Sequence, residues 1–187
     1  MAWREVLRSA QGAGNAVTAA AATSLLTGGA SMAQYALPPE FFDYIGKEMT
    51  IRASGIISTV ITTPGTARFD VRLGGGVVWD GLAILLDTVA AHTNVLWELE
   101  IRLLLRAAGK TANFWGMGKF TSEVVKGSGT MPLGVLVAML PWNTAAPAVG
   151  SNFDATVSQS LDLFFTQTVA TGSITLQQFG ADVLHTE

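Results

Sequence analysis

The chain has 187 residues, a formal net charge of −3 and no cysteine. That length suits one domain around a single sizeable core, and the lack of thiols excludes disulfides and thiolate ligands. No run of Lys or Arg occurs, so nothing neutralises a phosphate backbone and no nucleic-acid partner is expected.

Charged side chains make up only 13% of the residues, where about 25% is ordinary for soluble domains. No uninterrupted apolar run reaches the ~18 to 20 residues of a membrane helix, and no membrane partner is expected. A surface this poor in charge is either covered by other subunits, where charge is depleted, or simply neutral and rich in Ser, Thr and Gly.

Taken in order, the first 33 residues imitate a secretory signal, with Arg4 and Arg8 ahead of a weakly apolar stretch at 16–26 and Ser31-Met32-Ala33 resembling a cleavage site. The apolar part is mostly alanine and threonine, which argues against that reading. Residues 2–9 are instead expected as a short helix or arm, 11–15 as a joint, and 20–26 as a first strand with edge character. The domain division that follows is an N-terminal arm over 1–19 and a β-sandwich over 20–187. In 35–45 a Pro-Pro bend precedes Phe41, Phe42 and Tyr44; proline excludes helix there, and the rings are expected to cap one end of the core.

Residues 49–61 alternate, with Met49, Ile51, Ala53, Gly55, Ile57 and Ile61 on one side and Glu48, Thr50, Arg52, Ser54 and Ser58 on the other. Thr63-Pro64-Gly65-Thr66 supplies turn chemistry. Ala67, Phe69, Val71 and Leu73 then alternate with Arg68, Asp70 and Arg72. Two alternating runs around Pro-Gly predict a β-hairpin. After Gly74-Gly75-Gly76, residues 77–87 read as a strand apolar on both faces, and 90–95 as a loop.

Residues 96–105, LWELEIRLLL, give the strongest strand signal. Trp97, Leu99, Ile101, Leu103 and Leu105 occupy every second position, with Glu98, Glu100, Arg102 and Arg106 between them. On a helix Glu98 and Glu100 would lie far apart in azimuth and no polar face would form. A turn at 108–112 leads to a strand over 113–125 whose Gly116 and Gly118 suggest a bulge or a close approach. A short strand over 133–140 precedes a long irregular connection, 141–153, the natural place for surface function. Alternation returns in 154–169 and, past Thr171-Gly172-Ser173, in 174–184. The fold class is therefore all-β, a single-domain antiparallel sandwich, with a jelly roll as the leading topology.

Catalytic motifs are weak. Gly109-Lys110-Thr111 matches the tail of a P-loop, but Leu104 stands where the first glycine belongs. The two histidines, His92 and His185, are isolated, so neither a metal-ligand cluster nor a Ser/His/Asp triad is expected. Glu98 and Glu100 would sit about 7 Å apart on one strand face, within the range of glycosidase carboxylates. Arg102 and Arg106 on that face favour an ion-pair ladder instead. No enzyme activity and no cofactor are expected. Trp79, Trp97 and Trp115 fall within strands, whereas Trp142, beside Asn143 in the long connection, is the aromatic expected to be most exposed.

Several segments, in shared order, resemble a widespread class of tailed-bacteriophage virion proteins built on a jelly-roll-like β-sandwich. They are Tyr35-Ala36-Leu37-Pro38 with Phe41-Phe42, the run 51–58 leading to Thr63-Pro64-Gly65-Thr66, and Ala91-His92-Thr93-Asn94 before Trp97-Glu98-Leu99. Arg106-Ala107 ahead of Gly109, Phe153-Asp154, Asp162-Leu163-Phe164 and Ser173-Ile174-Thr175-Leu176 complete the likeness, which spans residues 20–184. The resemblance implies a non-enzymatic virion protein, often trimeric: a capsid decoration or cement subunit bound to itself and to the major capsid protein. The alternative is a receptor- or glycan-binding module at a tail tip or head fibre. Candidate interface residues are Trp3, Arg4 and Arg8 in the arm, with Trp142 and Asn143 in the long connection.

Overall fold

A computed structural model describes residues 2–10, 12–29, 33–126, 137–142 and 149–186. In chain order its strands are β1 (Ala2–Ala10), β2 (Thr23–Ser24), β3 (Tyr35–Leu37), β4 (Glu48–Thr59), β5 (Thr66–Leu73), β6 (Gly76–Asp80) and β7 (Ile84–Leu85). There follow β8 (His92–Ala107), a 3-10 turn at Gly109–Thr111, β9 (Asn113–Ser122), β10 (Val137–Leu140), β11 (Gln159–Gln167) and β12 (Ser173–Thr186). Among the described residues there is no α-helix.

Two antiparallel sheets result. The larger has the order β1-β12-β4-β8-β9-β10; the smaller is β2-β11-β5-β6, with β3 also on β11 and β7 also on β5. The predicted antiparallel β-sandwich is what forms. Period-two alternation decides which side chains meet between the sheets. From β8 these are Trp97, Leu99, Ile101, Leu103 and Leu105, from β4 Met49, Ile51, Ala53 and Ile57, and from β5 Ala67, Phe69, Val71 and Leu73, all buried. Phe69 sits at the centre, with ring centroids 5.7 Å from Trp97, 5.1 Å from Phe120 and 5.3 Å from Phe165.

One end of the core is closed by the aromatic cluster expected there. Phe42 meets Phe41, Phe114 and Phe153 edge-on. Lys47, 4% exposed, donates to the Phe41 carbonyl and lies 3.0 Å from Asp43, so its charge is desolvated only against partners. Trp79 of β6 reaches across the sandwich onto β9, where Gly116 and Gly118 make room for it. A Cβ on Gly116 would fall 2.3 Å from the indole Cδ1. The close approach expected at these glycines is thus to a ring of the facing sheet.

The predicted hairpin does not form. β4 pairs with β12 and β8, whereas β5 pairs with β11, β6 and β7. The Pro-Gly segment is an arch from one sheet to the other. It lies beside the β11–β12 connection: Thr66 N–H donates to Thr168 Oγ1 (2.9 Å) and the Thr171 hydroxyl to the Thr63 carbonyl (3.1 Å). Alternation records which side of a strand is buried and is blind to whether the next strand lies beside it or across the core. Here the 14-residue β12 and the 16-residue β8 occupy both edges of β4, leaving none for β5. The two nested arches are the jelly-roll-like part of the topology; β8, β9 and β10 continue as a meander in one sheet.

Smaller differences have similar causes. The strand expected over 77–87 breaks at Gly81 and Leu82, the latter at φ 59, to give β6 and β7. The loop expected over 90–95 is largely the start of β8. Only Thr23–Ser24 of the first predicted strand joins a ladder. Residues 133–136 of the predicted strand ahead of β10 lie outside the described residues. The helix considered for 2–9 is a strand, β1, paired along its length with β12. Its Leu7 and Ala10 reach the core, while the rest is mostly exposed.

Candidate interaction surface

The residues singled out in the arm sit on the outermost strand of the larger sheet. Trp3 stacks on His185 with centroids 4.8 Å apart and planes 5° from parallel, and Glu5 Oε2 lies 2.8 Å from His185 Nε2. Arg4 pairs with Asp182 at 3.0 Å, and Arg8 is exposed. Trp142 lies elsewhere: it follows β10, the opposite edge of the same sheet. Five inter-strand steps of ~4.8 Å separate the two edges, about 24 Å. The two groups are therefore not brought together. Trp142 is also more covered than expected, because its amide donates to the Gly81 carbonyl (2.8 Å) and its ring packs against the core. Asn143 lies outside the described residues.

Between these edges lies the outward face of the larger sheet, where register sorts side chains into rows. One row runs Ser9, Gly180, Arg52, Glu100, Lys119 and Met139 across all six strands. The next runs Gln178, Ser54, Glu98, Thr121 and Val137. Toward β1, small residues leave an open groove of about 640 Å³ lined by Ser9, Arg52, Ser54, Glu98, Glu100, Lys119, Gln178 and Gly180 among others. Arg52 is held by Asp182 at 2.7 Å and lies 3.9 Å from Glu100. The ion-pair ladder expected along β8 is redirected: Arg102 pairs with Glu48 of β4 at 3.0 Å, and the Arg106 guanidinium lies 5.9 Å over the Trp115 ring.

Toward β10 the same face becomes apolar. Trp115 lies opposite Leu104 of β8 and is bridged to Val149, with Met117 next along β9 and Met139 of β10 diagonal to it beside Lys119, while Val137 lies farther along beside Thr121. Met139 is 56% exposed and Val149 47%. The outward positions were readable from the alternation of 49–61 and 96–105. Their assembly into a polar half and an apolar half was not, because strand order carries it.

The histidines are held locally. His92 Nε2 lies 3.1 Å from Asp87 Oδ2, and Asp87 also accepts from the amides of Val89 (2.8 Å) and Ala90 (3.3 Å). Burial raises the Asp87 pKa, but the Val89 amide, His92 and the Ala90 amide outweigh it and hold the carboxyl below its ordinary value. Among the described residues no group of three or more His, Cys, Asp or Glu is placed to hold a metal ion.

No protein-family model matches the chain, and no curated protein sequence matches it. Among solved structures, the chain is similar to the CBM2 module of the evolved Dit protein of Lactobacillus casei BL23 phage J-1. That similarity has a TM-score of 0.35 and 10% identity, and covers 83% of this chain and 70% of that one. A likeness at this level transfers nothing about function.

Proposed function

We propose that this chain is a non-enzymatic structural subunit of a bacteriophage virion that associates with copies of itself, with three the favoured number. Its favoured place is the capsid surface, as a decoration or cement protein on the major capsid protein. The observation that carries the reading is the strip of apolar side chains at Leu104, Trp115, Met117, Met139 and Val149 on the outward face of the larger sheet near β10. An apolar surface of this kind, in a chain whose charged fraction is 13%, suits contact with a protein neighbour. The resemblance of its segments to tailed-phage virion proteins supplies the setting. A subunit that binds only the assembled shell stabilises it by mass action.

The test is light scattering of the purified chain, followed by mixing with empty capsids. Self-association that Met139→Glu abolishes, together with saturable uptake by shells, supports the proposal. A single copy at high concentration that ignores both shells and tails would overturn it.

A further inference from the structure

The polar half of the outward face is a different kind of surface from the apolar strip. It is concave, and its floor and near wall are built from small groups: Ser9, Ser54 and the bare backbone of Gly180. A Cβ built on Gly180 would meet nothing within 4 Å, so the hollow there is open space above a flat ladder. Around it stand five side chains with long polar reach: Arg52, Glu98, Glu100, Lys119 and Gln178. Among the described residues the side chains of Glu98 and Lys119 make no hydrogen bond or ion pair, while Arg52 is fixed by Asp182 and Gln178 lies 3.3 Å from Ser54 Oγ.

The chemistry of this lining narrows the ligand. An apolar occupant would strand the unpaired charges of Glu98 and Lys119 away from water, at a cost no contact here repays. An anion would face Glu98 and Glu100, and a cation Arg52 and Lys119, so neither sign is favoured. An extended peptide docks by completing a sheet edge, but the strands that carry the five long side chains, β12 to β9, already have neighbours on both sides, and the free edge of β1 faces away from them. What remains is a neutral, hydroxyl-rich chain. Carboxylate, guanidinium and carboxamide are planar groups with two polar atoms side by side, matched to adjacent hydroxyls. The groove's volume lies within the range of small-ligand pockets.

We infer that the groove over Gly180, between Arg52, Glu98, Glu100, Lys119 and Gln178, is a binding site for a neutral oligosaccharide lying across the strands. This inference stands apart from the decoration role and does not rest on it. The site is also distinct from the connection after β10, since it lies on the other half of the sheet.

The test is an array of neutral hexose and N-acetylhexosamine oligosaccharides, followed by titration calorimetry of any hit with the full chain. Gly180→Leu places a side chain in the hollow at a position where a Cβ meets nothing within 4 Å, and Glu98→Gln removes an unpaired charge. The expected result is capture of at least one neutral saccharide, at least tenfold weaker in Gly180→Leu and weakened in Glu98→Gln, with circular dichroism and melting unchanged. Capture should persist in 0.5 M salt, on the order of a 4 to 5 Å Debye length, since no net charge drives it. No neutral saccharide captured, capture untouched by Gly180→Leu, or capture of acidic saccharides alone that salt abolishes would each overturn the inference.

Discussion

The outward faces of the two sheets carry the same kind of sequence and meet different fates. On the larger sheet, Glu48 of β4 and Arg102 of β8 pair diagonally between the strands, with Arg102 54% exposed. On the smaller sheet, Arg72 and Asp70 of β5 also point away from the core, yet the Asp70 side chain is 2% exposed, with Arg72 Nε at 2.6 Å. The neighbouring Asp162 of β11 is buried as well. It accepts from the Ser24 hydroxyl (2.6 Å) and from the Gln34 amide, groups brought there because the segments around β2 and β3 both lie along β11. The Arg72 guanidinium stacks 3.7 Å over the Phe164 ring. Alternation fixes the direction of a side chain; what the rest of the chain lays beside it fixes its dielectric. One face is left for partners, and the other is part of the fold.

The sharpest way to break this contrast is to remove a partner on the smaller sheet. Arg72→Ala leaves the Asp70 carboxylate buried without its cation, and the expected loss is about 3 to 5 kcal/mol, read as the shift in a urea midpoint. Gly116→Ala, between the sheets, should cost about 1 to 3 kcal/mol by overpacking against Trp79. The same measurement should show Gly180→Ala, on the larger sheet's open face, close to wild type. Arg102→Ala breaks an exposed pair and should cost only about 0.2 to 1 kcal/mol. Equal losses for Arg72→Ala and Arg102→Ala would mean that the two faces do not differ in burial as described.

The pH dependence separates Asp162 from Asp87. Burial raises the Asp162 pKa above its ordinary 3.8, against the Ser24 and Gln34 donors that lower it. The native state then holds this proton more tightly than the unfolded chain, so the stability linked to it is fully present below the unfolded pKa and is lost as pH rises through the native one. Asp87 is shifted the other way; its contribution is present above the unfolded pKa and lost as pH falls through its lowered native value. Melting scans should therefore show wild type gaining on Asp162→Asn as pH falls through the raised Asp162 pKa toward 3.8, and losing ground to Asp87→Asn as pH falls below 3.8.

Much of the sandwich was legible in the residues. The inward sets of β4, β5, β8 and β11 follow from period two, and the aromatic cap at Phe41 and Phe42 from a proline bend beside clustered rings. Sheet membership was not legible. Pro64-Gly65 is compatible with a hairpin and with an arch, and the choice is made by β8 and β12, far away in sequence. The groove was hidden for the same reason: Arg52, Glu98, Lys119 and Gln178 come from four strands whose order no local pattern records. Glu98 and Glu100 stand out in the sequence only as a carboxylate pair, whereas Glu100 sits between Arg52 and Lys119 and Glu98 between Ser54 and Thr121.

The indole–imidazole stack of Trp3 on His185 gives β1 an optical signature. An indole's emission depends on the group stacked against it, and this ring lies at the margin of the sheet, remote from the buried Trp97. Lifting the first strand off β12, by denaturant or by exchange with another molecule, would change the emission of this one fluorophore while Trp97 still reported an intact interior. The peripheral strand thus carries its own gauge of attachment, readable separately from global unfolding.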